Sequence, residues 1–116
     1  MFRVVMEVTT DDVGALGELF AEVVPSLEEH LPGTLAWETF VDEASGRVLV
    51  YEVHQDEEAA DVYEAFMTSE GFAERAYALL TSGRVWILNP VVGPTWSGIA
   101  DESTSQVLAP AVGFSR

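Results

Sequence analysis

The sequence contains no cysteine and few basic residues. The absence of cysteine excludes disulfides, a thiolate nucleophile and a sulfur-ligated metal site. Only 5 of the 116 residues are lysine or arginine, against 20 aspartates and glutamates, which gives a formal net charge of -15. Nucleic acids and anionic membrane surfaces are bound through clustered basic side chains. Neither is therefore an expected partner.

Long apolar runs are also absent. No segment approaches the roughly 20 apolar residues that a membrane-spanning helix requires. The opening "MFRVVMEVTT" lacks the basic region and the long apolar run of a secretion signal. Hydrophobic residues still make up 48% of the chain, enough for a single domain with one core. We therefore expect a folded, cytoplasmic protein.

The first half of the chain reads as a strand followed by a helix. "FRVVMEVTT" has the length and composition of a strand, and "DD" at 11 and 12 offers a helix N-cap. Residues 13 to 31 then form an amphipathic pattern with apolar residues three or four positions apart. These are Val13, Leu16, Phe20, Val23, Leu27 and Leu31. Pro25 is predicted to kink or divide this helix.

The remaining elements complete a recognisable order. "TLAWETFVD" and "RVLVYEVHQ", joined by "EASG", predict an antiparallel hairpin. "DEEA" then caps a second helix, which "TSEG" interrupts and "TSG" at 81 to 83 closes, before a last strand, "RVWILNP". The order strand, helix, strand, strand, helix, strand predicts an α+β fold, the ferredoxin-like split βαβ arrangement. It has a four-stranded antiparallel sheet with two helices on one face.

Such a sheet leaves one face uncovered. In the first strand Val4 and Met6 lie on one side and Val5 on the other, and in the last strand Trp86 opposes Val85. Both faces are therefore apolar, and a large exposed apolar face favours association. We predict a homodimer that packs sheet against sheet.

The C-terminal residues have a different composition. Residues 94 to 116 are rich in glycine, proline, serine and alanine and show no sustained periodicity. We expect a ferredoxin-like domain over residues 1 to 93 and a C-terminal extension over 94 to 116, packed on the body or on the dimer partner. Its predicted anchors are the larger apolar residues Trp96, Val107, Leu108 and Phe114.

The run "VLVYEVHQDEEA", followed by "SEGF", resembles the antibiotic-biosynthesis-monooxygenase type of dimeric α/β barrel. The resemblance covers roughly residues 1 to 93. It implies a homodimer with a pocket between sheet and helices in each subunit. Members include oxygenases that oxidise aromatic polyketides without metal or flavin, and haem-degrading enzymes, and the same scaffold also hosts polyketide cyclases. One departure is that the helix histidine of the family falls on Phe66 or Tyr63.

Glu52 and His54 are the first candidate site residues. Residues two positions apart in a strand lie on the same face of the sheet. The resemblance turns that face toward the pocket, with His54 as a general base at the mouth and Glu52 behind it. Tyr63, one of the two positions on which the family's helix histidine can fall, is the third catalytic candidate. The alternative is that Glu52 anchors a loop and His54 is a half-exposed strand end.

Aromatic side chains form a second candidate set. Trp37, Phe66, Phe72 and Tyr77 occupy helix or sheet packing positions and are predicted to bind a substrate. Breaks at Gly71 and Pro25 suggest that the helices do not close tightly over the sheet, which would leave an apolar pocket. The alternative is that these aromatic residues only fill the core.

No cofactor motif is present. His30 and His54 lack metal-ligand spacing, and no phosphate-binding glycine loop exists. The missing helix histidine and the acidity disfavour haem. We expect no metal and no bound cofactor, with reduced flavin from a partner protein left open.

Three functions follow from these residues and the resemblance. The first is a cofactor-independent monooxygenase, an oxidoreductase that acts on an aromatic or polyketide-like substrate. The second is a non-redox cyclase, dehydratase or isomerase on the same scaffold. The third is a ligand-binding module without catalysis.

Overall fold

The chain folds as an antiparallel sheet with helices packed against one face. The computed structural model describes residues 1–88 and 109–116. The elements, in chain order, are β1 (Phe2–Thr10), α1 (Val13–His30), β2 (Thr34–Asp42), β3 (Arg47–His54), α2 (Glu57–Ser69), α3 (Phe72–Tyr77), β4 (Leu80–Leu88) and β5 (Ala109–Ser115). The predicted ferredoxin-like order is confirmed over the first seven elements, and β5 is an addition to it.

Both long helices begin where the sequence predicts. The Asp12 side chain accepts a hydrogen bond from the Ala15 amide at 2.9 Å, and the Asp56 side chain accepts one from the Ala59 amide at 2.8 Å. The predicted division of α1 at Pro25 is wrong, because α1 is one continuous helix of 18 residues. Proline removes one backbone hydrogen bond, but buried side chains on both sides of it hold the two halves on the sheet.

The second helical segment ends earlier than predicted. α2 and α3 are separated at Gly71, whose φ of 75° is left-handed and suits glycine. α3 ends at Tyr77 and β4 begins at Leu80, so the prediction that residues 81 to 83 close a helix is wrong. These residues pair with β1 instead, with Ser82 opposite Thr9. Backbone hydrogen bonds to a neighbouring strand override the local helical pattern there.

The strand register decides which side chains face the helices. The sheet order is β4-β1-β3-β2-β5, with all pairs antiparallel. Val8 pairs with Val48, and Glu52 stands between Val4 on one side and Trp37 on the other. Val8, Val48 and Trp37 belong to the buried core under α1. Glu52 and His54 therefore lie on the helix side of the sheet, as the period of two predicts.

The C-terminal extension supplies a fifth strand. β5 pairs with β2, and Phe114 lies opposite Trp37 and packs against the core. The Arg116 guanidinium donates from Nε to the Thr34 carbonyl at 2.9 Å and from Nη2 to the Glu28 carbonyl at 3.0 Å. The other predicted anchors, Trp96, Val107 and Leu108, lie outside the described residues.

The opposite face of the sheet carries no helix within the described residues. Val5 stands between Tyr51 and Trp86 on this face. Trp86 is 42% exposed, and on the other side of the same strand Ile87 is 60% exposed. Apolar side chains on both faces of the sheet match the predicted alternation.

Candidate functional site

A cavity of about 530 Å³ lies between the sheet and the α2–α3 layer. Its floor includes Val4 and Met6 from β1, and its helical wall includes Thr68, Ala73 and Ala76. Because these three helical side chains are short, they do not reach far enough to fill the space above β1. The cavity also has the size and the apolar walls that are typical of small-molecule sites.

Glu52 is the buried acid of this cavity. It lines the cavity, and only 3% of the residue is exposed. Its Oε1 accepts a hydrogen bond from His54 Nε2 at 3.0 Å, whereas its buried Oε2 has no hydrogen-bond partner among the described residues. A buried carboxylate oxygen without a donor is costly. Oε2 is therefore the atom of this wall that would gain most from a ligand donor.

His54 lies behind Glu52 and not in front of it. The residue is fully buried and is not part of the cavity wall. The central position of β3 between β1 and β2 covers both its edges, and the Tyr63 ring packs 5.0 Å from the imidazole. The sequence predicted His54 at the mouth of the pocket with Glu52 behind it, and this prediction is wrong, because Glu52 lines the cavity and His54 lies behind it. His54 is also not the half-exposed strand end of the alternative.

The second imidazole nitrogen has a partner of its own. Nδ1 of His54 lies 3.0 Å from Oγ1 of Thr34, which is also fully buried. A carboxylate accepts hydrogen bonds and does not donate them, so Nε2 carries a hydrogen and donates the bond to Glu52 Oε1. The Thr34 hydroxyl can accept a hydrogen bond from Nδ1 when that nitrogen carries a hydrogen and donate one to it when it does not. Thr34 and His54 together fix the orientation of the Glu52 carboxylate.

Tyr63 lies beside Glu52 on the helical side. The Trp37 indole N–H donates to the Tyr63 hydroxyl oxygen at 3.0 Å. Burial raises the pKa of Tyr63 well above its usual value, and the nearby Glu52 carboxylate raises the pKa further. Tyr63 therefore stays protonated at neutral pH. It is suited to donate a hydrogen bond and not to act as a base.

The raised pKa of Tyr63 predicts an alkaline transition. Tyr63 should ionise well above the usual tyrosine pKa of about 10. Since the folded-state pKa exceeds the unfolded one, the stability contribution is complete below pH about 10 and is lost as the pH rises through the folded-state value. Tyrosinate absorbance and the free energy of unfolding, both followed against pH, test this.

Two phenylalanine variants make the alkaline test specific. Tyr63→Phe should flatten the alkaline fall in the free energy of unfolding, whereas Tyr77→Phe, at an exposed position, should leave the fall unchanged. Ionisation of Tyr63 near the usual tyrosine pKa would contradict its buried state.

The predicted aromatic set is divided by the structure. Trp37 and Tyr77 line the cavity, Trp37 fully buried and Tyr77 71% exposed. Phe66 and Phe72 pack against each other, with ring centroids 6.4 Å apart, and are not among the wall residues. The two phenylalanines therefore fill the helix layer, which is the core-packing alternative.

Two residues near the site were missed in the sequence. Thr34 was not predicted, because its hydrogen bond to His54 depends on their opposite positions in the β2–β3 register. The register shifts by one residue between Thr34 and Ala36, so regular extension of the predicted hairpin from its turn would have placed Thr34 opposite Gln55. Glu64 lines the cavity and is exposed on α2, one position from Tyr63. No sequence signal separates it from the many other helix acids.

A second cavity, of about 440 Å³, lies between α1 and β2. Gly14 and Gly17 contribute its helical wall, and Thr39 contributes a hydroxyl on the sheet side. That hydroxyl already donates to the Val112 carbonyl. Unlike the first cavity, this one has no unpartnered buried side-chain atom among its described wall residues.

The described residues contain no cluster of three or more metal-ligating side chains. None of their helices combines the length and the apolarity needed to cross a membrane.

No protein-family model matches the chain, and no curated protein matches it. Solved structures do match. An antibiotic biosynthesis monooxygenase aligns with a TM-score of 0.68 at 22% identity over 79% of this chain and 100% of its own. Rv0793 from Mycobacterium tuberculosis aligns with a TM-score of 0.67 at 16% identity over 81% of this chain and 98% of its own.

A third similar structure contains a ligand. It is a monooxygenase from Streptomyces coelicolor in complex with nanaomycin D, with a TM-score of 0.61 at 20% identity over 83% of this chain and 92% of its own. The chain therefore has the fold of the antibiotic-biosynthesis-monooxygenase type, as the resemblance in the sequence predicted.

Proposed function

We propose that this chain is a cofactor-independent monooxygenase that oxidises an aromatic, polyketide-like molecule in the cavity beside Glu52. The observation that carries the proposal is a buried carboxylate in the wall of an apolar cavity, with one oxygen that has no partner in the described part of the chain. The shared fold supports it, as does the small molecule bound to the monooxygenase from Streptomyces coelicolor.

Glu52 takes the proton of a phenolic hydroxyl in the proposed reaction. The O–H bond breaks, the proton moves to Oε2, and the electron pair stays on the ring oxygen. The ring becomes electron-rich and reacts with dioxygen. One oxygen atom enters the ring as a quinone oxygen, and the other leaves as water, so the substrate itself supplies the electrons.

The neighbouring residues have supporting roles. Tyr63, kept protonated, donates a hydrogen bond to the developing negative charge on the substrate oxygen. Trp37 holds the Tyr63 hydroxyl in place and offers an apolar wall to the ring. His54 does not touch the substrate and acts as a positioning residue for Glu52.

Oxygen consumption with hydroxylated bicyclic and tricyclic aromatic compounds tests the proposal. We expect oxygen uptake with a product that gains one oxygen atom and loses two hydrogens, without added metal or flavin. A strict requirement for reduced flavin would contradict the cofactor-independent mechanism.

A second candidate function uses the same residues. A base and a neutral donor side by side, Glu52 and Tyr63, also suit proton transfer in a cyclase, dehydratase or isomerase. Product formation that proceeds equally without oxygen would favour this reaction over oxygenation. Binding without any product would favour a ligand-binding module.

We also propose that the uncovered face of the sheet pairs with a second copy of the chain. The face combines the apolar side chains Tyr51 and Trp86 with an ion pair between Arg47 and Glu7 at 3.0 Å. Local charge balance matters in a chain of net charge -15, because two copies repel wherever carboxylates meet. An interface on the order of 2,000 Å² is expected for such a dimer.

Two substitutions on one strand test the dimer. Trp86→Glu places a charge on the uncovered face and should produce monomers or aggregates. Ile87→Glu places the same charge on the opposite face of β4 and should leave the dimer intact. Sedimentation velocity at micromolar concentration distinguishes them, and a stable folded monomer of the unmodified chain would refute the proposal.

A further inference from the structure

Acidic residues outnumber basic residues in the wall of the cavity. Two acids, Glu52 and Glu64, contribute to its wall, and Arg84 is the one basic residue among its described wall residues. Alternation along β4 turns the Arg84 side chain to the opposite face from Val85, so the side chain does not face into the cavity. The cavity therefore offers negative charge without an opposing cation.

The Glu52 carboxylate can still accept one more hydrogen bond. Oε1 accepts the hydrogen bond from His54, and the buried Oε2 has no partner within residues 1–88 and 109–116. One ligand hydroxyl supplies the single donor that Oε2 requires. A ligand ether leaves Oε2 unpaired, and a ligand carboxylate brings a like charge toward it, so both lose affinity.

A cationic ligand matches the site less well. Glu64, the other acid of the wall, is exposed to solvent, so an ammonium group with three N–H donors finds one buried acceptor, Oε2 of Glu52, among the described wall residues. The hydrogen bond from His54 Nε2 already offsets part of the carboxylate charge. The match is best for a ligand with no formal charge and a hydroxyl on an aromatic ring.

We infer that Glu52 is the specificity-determining residue of the cavity, and that it selects uncharged hydroxyaromatic ligands while it rejects their ethers and carboxylated analogues. This inference rests on the proposed function, since it concerns the same cavity. It goes beyond that function in naming which functional group of the ligand is selected and by which residue.

Four naphthalene probes with one variable group test the inference. They are α-naphthol, its methyl ether, α-naphthoic acid and α-naphthylmethylamine, and their dissociation constants are measured by calorimetry at neutral pH with the full chain. We expect α-naphthol to bind about tenfold or more tightly than each of the other three, because the hydrogen bond involves a charged partner.

Glu52→Gln should remove the discrimination. The amide keeps the shape of the side chain without its charge, so affinity for α-naphthoic acid should rise and the preference for α-naphthol should fall to a few-fold. Asp61→Asn removes the same charge from an exposed position of α2 outside the cavity wall, and it should leave the preference unchanged.

The outcomes separate the two claims. Comparable affinities for α-naphthol and its ether, or tightest binding of the acid or the amine, would overturn the inference while leaving an aromatic site in place. No binding of any probe would overturn both the inference and the proposed function. These tests use the unmodified chain, so they hold even if Glu52→Gln does not fold.

Discussion

Glu52→Gln is expected to lower turnover of a hydroxyaromatic substrate by roughly 10² to 10⁴ while the chain stays folded, because that factor is the usual worth of a positioned proton acceptor. Glutamine has nearly the same shape, and its amide oxygen can still accept the hydrogen bond from His54 Nε2. It cannot take the substrate proton at neutral pH. The measurement is kcat at saturating substrate, together with a thermal unfolding curve.

Three further variants locate the base within the cluster. His54→Gln should cost less turnover than Glu52→Gln, because His54 is outside the cavity wall and acts through Glu52. Tyr63→Phe should lower kcat through loss of a hydrogen-bond donor to the substrate oxygen. Asp61→Asn, exposed on the same helix as Tyr63, should keep full activity. A larger loss in His54→Gln than in Glu52→Gln would return the base role to His54.

The face of Glu52 and His54 could be predicted from the sequence, but their depth could not. A period of two fixes which side of a strand a residue occupies, and the structure has both on the helix side. Depth depends on contacts between distant segments. Thr34 and Tyr63 lie 20 and 9 positions from His54 in the sequence, and together with the central place of β3 they enclose its imidazole.

The strand β5 was missed for a similar reason. "APAVGFS" contains proline and glycine, which weaken any local strand signal. Pro110 is tolerated because β5 pairs on one side only, at the edge of the sheet. A Cβ on Gly113 would lie 2.6 Å from the Trp37 carbonyl oxygen, so only glycine fits this close approach to β2. The strand is specified by its partner and not by its own pattern.

The starts of the helices, unlike strand β5, are specified by their own local sequence. Their starts were predictable because Asp12 and Asp56 act within three residues of themselves. The end of the second helical segment was not, since pairing of residues 80 to 88 with β1 competes with the helical pattern. The cavity arises from that competition, because α3 is only six residues long and leaves part of the sheet uncovered.

Replacing His54 by leucine is expected to lower the free energy of unfolding by about 1 to 3 kcal/mol, the usual cost of leaving a buried hydrogen-bonding group without its partner. The imidazole contacts Glu52 Oε1 and Thr34 Oγ1, each at 3.0 Å, and all three residues are buried. Without His54, both oxygens of a buried carboxylate lack a partner. Urea unfolding of the variant and the unmodified chain measures the difference.

The double variant Glu52→Leu with His54→Leu separates stability from catalysis. Replacing both members of a buried pair by apolar side chains is often nearly neutral, so the double variant should recover most of the stability that His54→Leu loses. It should nevertheless be inactive, because Glu52, the proposed proton acceptor, is absent from it. If the double variant loses as much unfolding free energy as the two single leucine variants together, His54 and Glu52 do not act as a pair. Activity that returns together with stability would show that the pair holds the fold and takes no part in the reaction.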